Sequence, residues 1–297
     1  MKIYDCITFF DEKMMFDLRL NVLDKYVDKF VVVEQLYTHS GAKKKQNFNI
    51  NDYKKFKDKI VYILIDKEPE GLQEISKKNT ENEIIGSKRM NSLKRIEIQY
   101  NSLIGGITDA DPEDLIMVSD CDEIPNLKKL EINNIKNNIL LFKQKIFYYK
   151  FNLLHDNMNW FGTKACKKKK LITFDWLKYI KNKKYPIWRI DTLFSKKKYT
   201  NLKVIDNGGW HFTNVKNNKD IFYKLSNYGE HNEFERSNLT EDKIKDLIDN
   251  HQLYFNHKAD KKEEGKYSAK IQLKKIDNSI LPEYLNENLN NYKDWLA

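Results

Sequence analysis

A chain of 297 residues with 40% hydrophobic side chains is long enough to bury a real core, as one large domain or two small ones. Its longest unbroken apolar run, Ile60 to Ile65, falls far short of the roughly 20 residues that cross a bilayer, which excludes a membrane helix. The net charge of +10 invites a polyanion as partner, yet only five of the 53 basic residues are Arg, the side chain suited to forked recognition of phosphates and bases.

The N-terminal KIYDCITFF predicts a strand, Glu12 to Tyr26 an amphipathic helix, Phe30 to Glu34 a second strand and Ile60 to Ile65 a third. All-apolar strands separated by helices indicate an α/β fold with a mostly parallel sheet covered on both faces. After a loop at Glu68 to Gly71, a helical period runs from Ser87 to Leu103 and stops at Gly105 and Gly106. A helix follows near Leu127 to Lys136, then one aromatic strand, ILLFKQKIFYYKFN, and helices over Asn217 to Ser226, Glu241 to Asn250 and Pro282 to Leu296. No internal repeat or flexible linker divides the chain. The expected organisation is one domain with a nucleotide-binding half, 1 to 125, and an acceptor half, 126 to 297.

The N-terminus meets acids at Asp5 and Asp11 and lacks a signal-peptide pattern, so a cytoplasmic location is expected. Three cysteines, Cys6, Cys121 and Cys166, are an odd number without metal-type spacing and fit a reducing compartment. The sequon at Asn238 is read as coincidence.

The most informative segment is LIMVSDCDEIP, Leu115 to Pro125. On a strand, Asp120 and Asp122 share a face and aim the same way at its C-terminal end, where open α/β sheets hold their ligands. Paired carboxylates repel unless a cation neutralises them, and a hard divalent ion that also grips a diphosphate meets that need. Asp109 and Asp111 share the spacing but precede the apolar run beside Pro112, and they read as a turn. Cys121, on the opposite face, reads as a small buried hydrophobe. His211, in the Gly-opened turn GGWHF, is the expected third ligand, and Trp210 beside it either stacks on a sugar or fills core. In KLSNYGEHNEFER, Glu230, His231 and Glu233 form an acid, imidazole and acid cluster suited to general-base work.

Together these segments resemble glycosyltransferase family 17, the bisecting N-acetylglucosaminyltransferase type. The resemblance runs from YDCITFFDEKMMFDLRLNVLDKYVDKFVVVE through PEDLIMVSDCDEIP, NGGWHF and KLSNYGEHNEFE to LPEYLNENLNNY, nearly the whole chain. It implies a GT-A fold, a UDP-sugar donor (UDP-GlcNAc in characterised relatives), Mn2+ or Mg2+, and inversion at the anomeric carbon. It implies a soluble bacterial or viral relative, with a glycan acceptor. Relatives usually have Asn where Asp11 stands and Arg where Tyr100 stands, departures that bear on donor-sugar identity.

On this resemblance Asp122 binds the metal directly, and Asp120 holds it through water or contacts the ribose. Glu233, then Glu230, takes the acceptor's proton. Phe9, Asp11 and Glu34 lie near the uracil, and Arg189 or Arg236 pairs with the diphosphate. Two rival classes are a Mg2+-dependent phosphohydrolase and a basic polyanion-binding module. The first usually carries its Asp-x-Asp in the first strand with Thr or Val two residues on, where this chain has Ile124. The second predicts steeply salt-dependent retention on nucleic acid.

Overall fold

The computed structural model describes residues 1–76, 78–128, 130–131, 135–183, 185–186, 188–192, 194–195, 198–199, 201–256 and 271–297. The first strands form where the apolar runs predict them: β1 (Ile3–Phe9), β2 (Lys29–Gln35), β3 (Ile60–Ile65) and β4 (Leu115–Asp120). Helix α1 (Lys13–Leu23) joins β1 to β2, and α2 (Glu81–Ser102) leads towards β4. The longer helix begins six residues before the predicted Ser87, because Thr80 and Glu83 close a reciprocal capping box there.

Chain reversal at β5 (Glu123–Pro125) leads to β6 (Ile139–Phe142), β7 (Gln144–Tyr148), β8 (Leu153–Trp160) and β9 (Lys164–Lys167). Beyond α3 (Phe174–Lys178) come β10 (Leu202–Ile205) and β11 (Gly209–Thr213), then α4 (Asn218–Asn227), α5 (His231–Glu235) and α6 (Glu241–Asp249). Short strands β12 (Gln252–Leu253), β13 (Ile271–Gln272) and β14 (Lys274–Lys275) precede α7 (Glu283–Glu287).

The larger sheet has seven strands in the order β10, β6, β9, β4, β1, β2, β3. All its pairings are parallel except those of β9, which runs against both β4 and β6. One face packs Ile3, Ile7 and Phe9 against α1 and α7, and the other packs Tyr4, Cys6 and Val31 against α2 and α3. This is the mixed α/β, mostly parallel architecture expected of a GT-A core. Three of its strands come from beyond residue 125, so the two anticipated halves share it.

The predicted aromatic strand is two strands in different sheets. The chain leaves the large sheet at Phe142 and enters a five-stranded sheet, β14, β8, β7, β11, β5, at Gln144. At the crossing, Lys143 exchanges backbone hydrogen bonds with Ile205 and Gly208, 3.0 and 2.8 Å. The C-terminal helix predicted over Pro282 to Leu296 is also broken, into α7 and a 3-10 turn at Leu289–Trp295. The helix expected near Leu127 to Lys136 lies partly outside the described residues, and those described within it carry none.

Gly208 and Gly209 make the second sheet possible. A Cβ on Gly209 would lie 2.1 Å from the Ile124 carbonyl oxygen, and its φ is +131°. Only glycine lets β11 come this close to β5, in the register that sets His211 opposite Glu123. Gly209→Ala is expected to lower stability by about 2 kcal/mol or more, read as a fall in melting temperature.

Candidate active site

The acid segment turns where the strand reading kept it straight. β4 ends at Asp120, Cys121 and Asp122 form a turn, and β5 starts at Glu123. The two carboxylates therefore do not share a face. The cause is Arg19 of α1, a wholly buried guanidinium that donates to the carbonyls of Asp120, Cys121 and Glu123 at 3.2, 3.3 and 2.9 Å. The same fork binds the Asp5 carboxylate at 2.7 and 2.6 Å and Ser119 Oγ at 2.6 Å. Cys121 sinks into the core as expected.

Asp120 faces α2 and α3. It accepts from the Tyr100 hydroxyl, from Thr8 Oγ1 at 3.2 Å and from Lys178 Nζ at 3.1 Å. Burial works against its charge, but Lys178 and Tyr100 prevail and hold its pKa well below the usual carboxylate range. Burial alone would depress the Lys178 ammonium, yet Asp120 and Glu123 raise it. Glu123, fully buried, is the hub: its carboxylate takes the Asp120 amide at 2.8 Å, Lys178 at 2.6 Å and Trp160 Nε1 at 2.6 Å. Gly162 leaves room for it, since a Cβ there would stand 2.3 Å from Glu123 Cδ.

Asp122 faces the other way. Its Oδ2 accepts from Lys224 of α4 at 3.2 Å, and its Oδ1 lies 3.6 Å from His211 Nε2. The β11 to β5 pairing fixes this, because Phe212 donates its amide to the Asp122 carbonyl at 2.9 Å. Trp160 stacks on the His211 ring at a centroid distance of 4.8 Å. The imidazole is mostly buried, and Nδ1 has no hydrogen-bond partner among the described residues. The orphaned nitrogen is Nδ1, and the one that faces Asp122 is Nε2.

Asp122 also lines a cavity of about 190 Å³ between α1, β11 and α4, with Asp11, Glu12, Asn214, Lys216 and Lys224, and Trp295 at its edge. Asp11 pairs there with Lys216. Glu12, which sequence reading passed over, has one carboxylate oxygen held by the amides of Phe10 and Asp11 at 2.8 and 3.1 Å. Burial and Asp11 push its pKa up, against the pull of Lys216 and Lys224.

Other expected site residues lie elsewhere. Phe9 is core, edge-on to Phe16 and Phe48, because strand alternation puts it inward; Phe10 instead stacks on Tyr223 at 5.8 Å. Glu34 is buried and saturated by Lys44, the amides of Asn47 and Phe48, and the Tyr62 hydroxyl, so it orders the loop after β2. Trp210 donates to the Ile280 carbonyl at 2.7 Å, on the strand face opposite His211. Arg189 pairs with Asp191 at 2.7 Å, and Arg236 donates to the Asn232 carbonyl at 3.3 Å. Glu233 holds Arg89 of α2 at 3.3 Å, and Glu230 accepts from Tyr228 at 3.3 Å; neither lines the cavity.

As a metal site, Asp122 Oδ1 and His211 Nε2 are an oxygen and nitrogen pair whose spacing nearly suits adjacent ligands of one ion. No group of three acidic, His or Cys donors comes together among the described residues. An ion here would take its remaining ligands from water and from a bound phosphate, as Mg2+ commonly does. The pair could supply two ligands to such a cation.

The mixed sheet gathers acids and lysines beyond the carboxyl ends of β1 and β4, the place where open α/β sheets hold their ligands. The model of glycosyltransferase family 17 matches residues 1–297, and the chain belongs to that family. It is a glycosyltransferase, which removes the phosphohydrolase rival. No curated protein matches it. Among solved structures it is similar to HddC from Yersinia pseudotuberculosis, at 12% identity and a TM-score of 0.34, covering 71% of this chain and 91% of that one. HddC complexed with GMP-PN gives 12% identity, a TM-score of 0.31, and coverage of 69% and 89%. Among the described residues no helix is long and apolar enough to cross a membrane.

Proposed function

We propose that the enzyme moves a sugar, GlcNAc from UDP-GlcNAc, onto a glycan hydroxyl with inversion, using Mn2+ or Mg2+. The observation that carries this reading is the pairing of Asp122 Oδ1 with His211 Nε2, where Asp122 also lines a cavity that holds both acids and lysines. Carboxylates and ammonium groups side by side suit a polyhydroxylated ring, whose hydroxyls donate and accept. A bound cation supplies Lewis-acid stabilisation of the departing diphosphate. The lysines of this chain add fixed positive charge: burial would lower the Lys224 pKa, but Asp122 and Glu12 keep it raised and the group cationic.

Inversion needs one carboxylate to take the acceptor's proton. Glu12 is a stronger claimant than Glu230 or Glu233, because it lines the cavity, is fixed by two amides and has a raised pKa. Glu12→Gln is expected to cut kcat by roughly 10²–10⁴-fold with KM for the donor little changed. Turnover in the parent should fall with acidity at a pH above the ordinary glutamate range, as the base is protonated. Glu233→Gln serves as the comparison, and loss there with retention in Glu12→Gln would move the base to α5.

A panel of nucleotide sugars, screened by thermal shift with and without Mn2+, tests donor and metal together. UDP-GlcNAc with Mn2+ is expected to give the largest rise in melting temperature. A larger rise with another nucleotide sugar, or one equal without the ion, would contradict the donor or the metal.

A further inference from the structure

Among the described residues, the three most exposed large apolar side chains lie within one loop: Phe194 at 85%, Trp188 at 83% and Ile190 at 70%. The same loop concentrates the positive charge of the molecule. Residues 181 to 198 hold six lysines and Arg189 against the single acid Asp191, a net +6 within a chain total of +10. The other lysine clusters are partly offset: Lys44 is buried against Glu34, and Lys167 and Lys169 share Glu113.

The loop is organised around Tyr185. That ring is almost buried, with Lys183, Arg189 and Lys198 at 6.0, 5.2 and 5.9 Å from its centroid. Asp191 joins Arg189 and Lys198 at 2.7 Å each, and a 3-10 turn spans Ile190–Thr192. With the tyrosine inside and Lys183, Arg189 and Lys198 about it, Trp188, Ile190 and Phe194 are left outside, where water gains nothing from them.

We propose that this loop docks the enzyme on an anionic lipid bilayer. Cations beside exposed Trp, Phe and Ile match an anionic interface in both its parts, headgroup charge and the apolar layer beneath it. Trp favours the headgroup level, and lysine stems lie along apolar surface while the ammonium stays among phosphates. A nucleic acid would engage the charge but give Ile190 no apolar surroundings, and the loop carries one arginine among its seven cations. The loop begins three residues after Lys178, whose ammonium holds Asp120. The proposal stands apart from the choice of sugar donor.

The test is co-sedimentation of the full chain with vesicles of phosphatidylcholine alone or mixed with phosphatidylglycerol. The parent is expected to bind the mixed vesicles at least about tenfold more tightly, with added salt weakening the binding. The double variant W188A/F194A, exposed in both positions, should keep the parent's melting temperature and lose roughly tenfold in vesicle affinity. K181Q/K183Q should lose the preference for anionic lipid. Equal binding to both vesicle types, or an unaltered W188A/F194A, would overturn the proposal. So would duplex DNA that displaces the parent from vesicles and binds W188A/F194A as tightly as the parent, which would make the loop a nucleic-acid surface.

Discussion

Arg19→Met is expected to unfold the site before it unfolds the protein. Removing one partner from a buried ion pair costs about 3–5 kcal/mol, because the Asp5 carboxylate would remain in the core without its fork. For a chain of this size that is a fall in melting temperature on the order of 10 °C. The carbonyls of Asp120, Cys121 and Glu123 would also lose the donor that bends them. Arg19→Lys should not restore function, since one ammonium cannot replace a planar fork that serves Asp5, Ser119 and three carbonyls. The double variant R19M/D5L separates the two effects. An apolar pair of similar volume should recover most of the melting temperature, while turnover stays low because the turn is no longer held. Recovery of both would reduce Arg19 to a packing residue.

Asp122→Asn is expected to lower metal-dependent turnover by roughly 10³-fold or more, with little change in melting temperature. Asparagine keeps the shape and can still face Lys224, but it brings neither the charge nor the oxygen pair that a divalent ion needs. Asp120→Asn should act differently. Asp120 balances Lys178 and takes the Tyr100 hydroxyl, so its loss should loosen the wall of the site and reduce stability as well as rate. Indistinguishable effects from the two substitutions would mean that both acids serve one ion, as the straight-strand reading had it.

The first four strands were legible because each carries an apolar run of the kind that two-sided burial requires, whereas β9 (Lys164–Lys167) and β10 (Leu202–Ile205) are short and flanked by lysines and carry no such run. The Gly-Gly pair was legible too, and it brought His211 to Asp122. The bend at Cys121 was not, because its cause sits a hundred residues away in α1: a sequence window around the acids does not contain Arg19. The lysines that hold the acids were invisible for a different reason. In a chain so rich in lysine, nothing local marks Lys178 or Lys224 as buried and paired. Phe9 was readable in principle, since Ile3, Ile7 and Phe9 share one strand parity and therefore one face. Glu34 ends an apolar run with no local sign that four groups from the following loop and β3 would saturate it.

The proposed metal site is most directly tested by anomalous diffraction at the manganese edge, on crystals grown with Mn2+ and UDP. The account predicts one strong peak bonded to Asp122 Oδ1 and His211 Nε2, with diphosphate oxygens completing the shell, and a weak peak or none when UDP is omitted. A well-occupied ion on Asp120 instead, or ordered UDP with Lys224 and Lys216 on its phosphates and no anomalous peak, would contradict it.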